Sequence, residues 1–245
     1  MIIGSRKIYY DKLSSTNTMA ATLIKKGNVQ EGTIVYTGFQ YSGKGQKGNT
    51  WESEEGKNLL ISIILFPVTV RAENQFIISK VISLGISDFL GQLTENISIK
   101  WPNDIYIQDD KIAGILIEHS VIRNDLEYTI AGIGININQE VFTGGAPNPT
   151  SLKIVTGIYH DTEKCLSSLT GDIDKRYKQL LYDRRDRIDE DYFSSLYKAG
   201  TWNEFKDNKG IFEGKIIAVT DTGRLQIEDR RGRIYEYGFK EVDFL

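Results

Sequence analysis

The stretch from Ile97 to Asn136 limits the fold more than any other part of the chain. Four apolar runs follow one another there: ISIKW (97–101), DIYIQ (104–108), KIAGILIEHS (111–120) and LEYTIAGIGIN (126–136). Turn formers lie between them, among them Pro102-Asn103, Asp109-Asp110 and Asn124-Asp125. Short β-branched runs bounded by Pro, Asn and Asp read as strands. None of the connections is long enough for a helical crossover, so the runs form a meander and favour an antiparallel or mixed sheet. Pro102 has no N–H to give to a ladder, so the pairing breaks there and exposes the neighbouring side chains.

The flanking segments complete the expectation. KIYYDKL (7–13), GTIVYTGF (32–39) and NLLISIILF (58–66) read as strands, the last of them buried. Ser14-Ser15-Thr16-Asn17 supplies cap residues for a helix carrying Met19, Ala20, Leu23 and Ile24 and ending near Gly27. Residues 72–93 place Phe76, Ile77, Val81, Leu84, Phe89 and Leu90 at helical spacing, and 162–199 do so with Leu166, Leu169, Ile173, Tyr177, Leu180 and Leu181. The tail from Trp202 alternates in short strands around Asp221-Thr222-Gly223 and Arg231-Gly232, as a small β-barrel would. The expected fold class is α/β (α+β): a mixed, largely antiparallel sheet backed by helices over 1–200, then the barrel over 201–245. At about 150 residues per domain, 245 residues suit one large domain plus a small one, or a single large α/β unit.

Composition removes several functions. Thirty basic against 33 acidic side chains, a net charge of −3, argues against a protein that coats nucleic acid. One cysteine, Cys165, and two histidines, His119 and His160, leave no disulfide framework and no Cys/His metal site. No uncharged apolar run approaches the roughly 18 residues of a membrane span, and the N-terminus is charged where a signal peptide is apolar. The expectation is a soluble protein of the reduced cytoplasm.

Between the second and third strands lies a polar, glycine-rich segment, Gln40 to Gly56. Within it Gly43-Lys44-Gly45-Gln46-Lys47-Gly48 matches the dinucleotide fingerprint G-x-G-x-x-G. That fingerprint needs a helix opening on its last glycine. Here Asn49 to Glu55 carries no apolar helical stripe, which rejects a dinucleotide oxidoreductase. What remains is either an anion-binding nest with two lysines or a solvated surface loop. Lys111-Ile112-Ala113-Gly114 sets a lysine at a strand start beside small residues that leave room for a ligand. Gly132-Ile133-Gly134 places two glycines in a strand, a sign of close approach by another group.

In this order, Ser15-Thr16-Asn17, Gln40, GKGQKGNTW (43–51), KWPND (100–104), KIAGIL (111–116) and GIGIN (132–136) resemble the biotin–protein ligases. The tail resembles that family's C-terminal SH3-like domain, so the likeness covers nearly the whole chain. No helix-turn-helix precedes residue 1, as in the monofunctional class. The loop departs from the family's usual arginines, with Lys44, Gln46 and Lys47, and Asn49 where a further arginine often stands.

The resemblance implies a core like that of class II aminoacyl-tRNA synthetases and two half-reactions. Biotin and ATP, with Mg²⁺, give biotinyl-adenylate and pyrophosphate, and a lysine of a biotin carrier protein then displaces AMP. The implied catalytic residues are Lys111 and Lys44. Biotin falls to Ser15, Thr16, Asn17, Gln40, Lys44, Gly45, Gln46, Lys111, Gly114 and Ile115. ATP or adenylate falls to Gly43, Lys47, Gly48, Asn49, Trp51, Asn103 and Asn136, with no resident metal. Trp51 is either a shelf for adenine or a core residue, Ser15 and Thr16 serve biotin, cap a helix or do both, and Asp104 either orders Mg²⁺ or steers the acceptor lysine. The implied protein is a monomer or homodimer that meets its carrier without nucleic acid or membrane. The alternatives are a lipoate or octanoate ligase on the same fold and a non-catalytic biotin sensor.

Overall fold

The computed structural model describes residues 1–27, 29–144 and 147–245, without the side chain of Lys47. Its larger sheet comprises β1 (Lys7–Leu13), β2 (Thr33–Gln40), β3 (Leu59–Leu65), β4 (Ile97–Lys100), β5 (Asp104–Ile107), β6 (Asp110–Ile122) and β7 (Asp125–Ile135). The spatial order is β1-β2-β3-β7-β6-β5-β4. Only β1 and β2 run parallel, joined through helix α1 (Thr16–Lys25), and every other pairing is antiparallel. The meander expected over 97–136 is present, and β4 stops at Lys100, before Pro102.

Strand alternation divides the sheet between two tasks. Ile61 and Ile63 on β3, with Ala131, Ile133 and Ile135 on β7, enter the main core with helix α2 (Phe76–Gly91). Ile64 and Ile130 turn to the opposite face, where Ala20 of α1 packs on them. The helical layer continues with α3 (Leu152–Thr156), α4 (Thr162–Leu181) and α5 (Arg185–Ser194). Arg176 of α4 ties the layer together, bonding Asp88 of α2 and Asp191 of α5.

The single helix expected over 162–199 is two. From Leu181 to Arg187 no side chain is buried, so nothing holds a continuous helix to the core, and Asp183 turns the chain at φ 55°. Burial resumes at Ile188 and Tyr192 in α5. The five-residue α3 is too short to show a periodicity.

The C-terminal strands β8 (Trp202–Asp207), β9 (Gly210–Val219), β10 (Leu225–Asp229), β11 (Ile234–Tyr237) and β12 (Asp243–Phe244) form an antiparallel sheet ordered β11-β10-β9-β8-β12. It meets the larger sheet at Trp101, which the break at Pro102 does not expose. Trp101 is buried, donates from Nε1 to the Gly223 carbonyl at 3.0 Å, and sets its ring edge-on to Phe239 at 5.4 Å. Gly223 sits at φ 84°, where a Cβ would lie 2.5 Å from the Phe76 ring, so both backbone and space require glycine. Among the described residues no helix is long and apolar enough to cross a membrane.

Candidate active site

On the α1 face of the sheet a cavity of about 610 Å³ opens between α1, β6, β7 and the segment that follows β2. Its polar end is made by the start of α1. Ser15 opens the helix with extended backbone, yet its hydroxyl makes no cap hydrogen bond, so Ser15 serves as a cap only through its main chain. Thr16 N–H donates to Gln40 Oε1 at 2.8 Å, which leaves the Gln40 Nε2 hydrogens for another acceptor. Ser62, the one polar residue in the β3 run, lies 2.5 Å from Asn17 Oδ1 and 2.7 Å from Thr16 Oγ1. Asn17 Oδ1 only accepts, so the Ser62 hydrogen goes to it, and the Thr16 hydroxyl shares its hydrogen between Ser62 Oγ and Gln40 Oε1 at 3.2 Å. The lone pairs of Thr16 stay open.

Asn17 Nδ2 is engaged on both hydrogens, by the Leu116 carbonyl at 3.2 Å and Glu118 Oε2 at 2.7 Å. Asn17 therefore braces this end of the cavity. Gly132 makes room for it, since a Cβ there would sit 2.3 Å from Asn17 Oδ1.

Trp51 forms the middle of the site. Gly114 and Gly134 are cross-strand partners, and a Cβ on them would lie 2.8 and 2.4 Å from the indole. The room those glycines leave is thus filled first by the protein's own indole and, at Gly132, by Asn17. Trp51 is half-buried, so it belongs to the cavity wall rather than the core. Besides Asp104 Oδ1, which has only the Lys111 ammonium beside it, two polar atoms on this face are buried without a partner among the described residues: Trp51 Nε1, a donor, and Asn136 Oδ1, an acceptor. Asn136 Nδ2 is anchored on the Thr150 carbonyl at 2.9 Å. Asn103 uses its Nδ2 on the Ile115 carbonyl at 2.7 Å, which holds the β5 start beside β6. Ile115 borders the cavity, but its side chain belongs to the main core, because its neighbour Gly114 takes the cavity face.

Lys111 and Asp104 form the charged floor, Nζ to Oδ1 at 2.7 Å, with side chains 24% and 23% exposed. The Lys111 main chain is fastened at both ends, its N–H to the Asn148 carbonyl at 2.7 Å and its carbonyl to Thr150 N–H at 2.9 Å. The ammonium lies 5.8 Å from the Trp51 ring centre. Lys100 of the same motif turns away, 4.7 Å from the Tyr106 ring and 5.8 Å from that of Tyr197. Burial lowers its pKa.

The glycine-rich segment covers this floor as a hairpin. Trp51 N–H meets the Gly43 carbonyl at 3.0 Å, Gly45 N–H meets the Asn49 carbonyl at 2.7 Å, and a 3-10 turn at Gln46–Gly48 makes the tip. No α-helix opens on the glycines. Lys44, Gly45, Gln46, Gly48 and Asn49 border the cavity, Gly43 closes the hairpin base, and the Lys47 side chain lies outside the described atoms. Glu52, which the sequence reading passed over, accepts from Thr143 N–H at 2.9 Å and Gly144 N–H at 2.6 Å. Burial raises its pKa, but these bonds outweigh that and the net shift is downward. The fixed segment brings Phe142, Pro147 and Pro149 to the rim, and Phe239 and Lys240 arrive from the C-terminal sheet.

Among the described residues no three His, Cys, Asp or Glu side chains gather to hold a metal, and Asp104 already faces Lys111. With a neutral polar pocket at one end, a flat aromatic wall and a lysine between, the cavity can hold a small acid beside a nucleotide and bridge their anionic groups.

A site of that kind defines a carboxylate-activating ligase. The chain belongs to the biotin/lipoate A/B protein ligase family, whose model matches residues 9–136. The bifunctional ligase/repressor BirA of Bacillus subtilis is 31% identical over 243 residues, covering 94% of this chain and 72% of that protein. The biotin–[acetyl-CoA-carboxylase] ligase of Paracoccus denitrificans is 28% identical over 215 residues, covering 79% and 83%. Among solved structures, the Aquifex aeolicus biotin protein ligase in complex with biotin and ATP superposes with a TM-score of 0.81 at 27% identity, over 98% of this chain and 99% of that one.

Proposed function

We propose that this protein activates biotin with ATP to biotinyl-adenylate and transfers the biotin to a lysine of a biotin carrier protein. The observation that carries this reading is the placement of Lys111. A main-chain-anchored ammonium lies between a polar pocket made by Thr16, Asn17 and Gln40 and an aromatic wall with an unpaired donor and acceptor among the described residues. Biotin's ureido head offers a carbonyl and two N–H groups, which the Gln40 amide hydrogens and the Thr16 lone pairs complement. Adenine needs both a donor and an acceptor at its edge, and Trp51 Nε1 and Asn136 Oδ1 supply one of each. The biotin carboxylate and the α-phosphate repel until a cation lies between them. Lys111 holds that position, and its charge grows more favourable as negative charge builds on the bridging oxygen. Lys44 adds a second cation from the hairpin. The covered cavity keeps water from the mixed anhydride until the acceptor amine arrives.

The deciding experiment incubates the protein with biotin, MgATP and a biotin-carrier domain and weighs the carrier. The expected result is the mass of one biotinyl group, absent without ATP. A carrier modified by lipoate but not by biotin would move the reading to the lipoate ligases.

Two expectations follow for individual parts. Ser62→Ala leaves Asn17 Oδ1 and Thr16 Oγ1 without their shared partner, a loss of about 1 kcal/mol or a little more. The KM for biotin should rise about fivefold while the KM for ATP stays put. An equal rise in both would make Ser62 a general stability residue. The hairpin, for its part, is polar and buries only Gly43 among its described residues, so burial cannot offset its ordering cost of roughly 1–2 kcal/mol per residue. Hydrogen exchange over residues 40–56 should therefore slow markedly once biotin and ATP are added. Unchanged exchange would mean that the hairpin is no lid.

A further inference from the structure

A second cavity, of about 170 Å³, lies between α2, β6 and the C-terminal sheet. It adjoins the first: Gln46, Pro102, Asn103, Ile115 and Phe239 border both. Phe76 and Ile117 give it apolar walls, and among its described lining residues none is charged at neutral pH. His119 stands there with Nδ1 2.8 Å from Thr129 Oγ1, and burial holds its imidazole down to about 4, hence neutral. Ser83 borders the same space fully buried, and its hydroxyl has no partner among the described residues. A buried hydroxyl of that kind calls for a visiting polar group. The outer end opens at Thr222, an exposed turn residue.

We propose that this second cavity seats the acceptor lysine side chain, which enters past Thr222, lays its methylenes against Phe76 and Ile117, and reaches the main cavity at Asn103. The proposal rests on the ligase reading given above and adds the route of its second substrate. The hairpin side of the main cavity carries exposed Lys44, and Lys240 stands exposed at its rim, two charges that repel an incoming ammonium. An uncharged passage with apolar walls does the opposite work. Leaving water disfavours the ammonium form, so the lysine gives a proton to solvent on entry and arrives as the nucleophilic amine. Its nitrogen lone pair attacks the acyl carbon of biotinyl-adenylate and a C–N bond forms. The bond from that carbon to the phosphate oxygen breaks, and AMP leaves with the electron pair. The attacking nitrogen then carries two protons; Asp104, beside Asn103 in the main cavity, receives one, and the other stays as the amide hydrogen.

Blocking the passage separates the two half-reactions. Thr222→Trp fills the outer end from an exposed position, and Ser83→Leu fills the inner end. Biotin-dependent pyrophosphate release in a single turnover reads adenylate formation, and the mass of a biotin-carrier domain reads transfer. The expected result for Thr222→Trp is adenylate formation within about twofold of the parent, with transfer slowed about tenfold or more, because the amine no longer reaches its attack position. Hydroxylamine, small enough to enter by either mouth, should still discharge the adenylate at the parental rate. If Ser83→Leu does not fold, Thr222→Trp decides alone. Transfer at the parental rate in Thr222→Trp overturns the proposal, as does an equal fall in both half-reactions. A parent protein that makes no adenylate instead overturns the ligase reading itself.

Discussion

Lys111→Ala should slow biotin-dependent pyrophosphate release by about 10²-fold or more, the usual cost of removing a preorganised donor from a developing charge. The effect is large because the residue is held from two directions. Its main chain is bonded to both Asn148 and Thr150, and its ammonium sits 2.7 Å from Asp104. Little reorganisation remains when the biotin carboxylate meets the α-phosphate. Biotin affinity should fall far less than the rate, since the proposed ureido contacts at Thr16 and Gln40 lie away from the charge. The pair is only about a quarter exposed and Asp104 Oδ1 is buried, so losing the ammonium also costs stability, and the rate is compared at a temperature where thermal melting shows the variant folded. Lys111→Arg should recover only part of the rate, as a planar fork cannot copy a compact ammonium in a site shaped for one. Parental pyrophosphate release in Lys111→Ala would remove the residue from the chemistry.

The strands and principal helices were legible because each writes its own local pattern. The runs at 97–136 announce strands through β-branched residues and turn formers, and 72–93 announces α2 through its apolar stripe. What failed to show was long-range. Nothing local says that β1 pairs in parallel with β2, since that follows from α1 crossing over one face. Trp101 read as exposed because Pro102 breaks the ladder, and it is buried because Gly223 and Phe239, more than 120 residues away, close over it.

The site shows the same division. Resemblance located the loop, the lysine and the asparagines, and most of these border a single cavity. The glycines were legible as gaps but not as to what fills them. A gap in a strand looks the same whether a ligand or an indole occupies it, and here Trp51 and Asn17 come first. Ser62 did leave a signal, as the one hydroxyl in the apolar run of β3, where an unpaired polar group would be costly. Glu52 left none, because a carboxylate in a polar loop is ordinary until its partners at Thr143 and Gly144 are seen. Phe239 and Lys240 left none either, for they reach the rim only through the docking of the C-terminal sheet.

The glycines on β7 allow the two halves of the site to be told apart within one strand. Gly132 and Gly134 both have ordinary extended backbone, so alanine strains neither main chain, and the effect of each substitution is the methyl group alone. In Gly134→Ala that methyl would lie 2.4 Å from the Trp51 indole, too close for both to keep their places. The indole must leave its place against the sheet, and a shift of about 1 Å at a reacting site costs about 10²-fold. The proposed adenine wall is lost, so kcat/KM for ATP should fall by about that factor while the KM for biotin changes little. In Gly132→Ala the methyl would lie 2.3 Å from Asn17 Oδ1 and break the Ser62–Asn17 contact. There the KM for biotin should rise about tenfold, with ATP nearly unaffected, as the brace behind Thr16 gives way. Trp51→Leu placed on Gly134→Ala should recover part of the ATP-dependent rate over Gly134→Ala alone, since the smaller side chain removes the collision. Two glycines one pleat apart would then report on different substrates. Matching losses of the same substrate in both variants would show that Trp51 and Asn17 serve one pocket and would dismiss the division of the cavity drawn here.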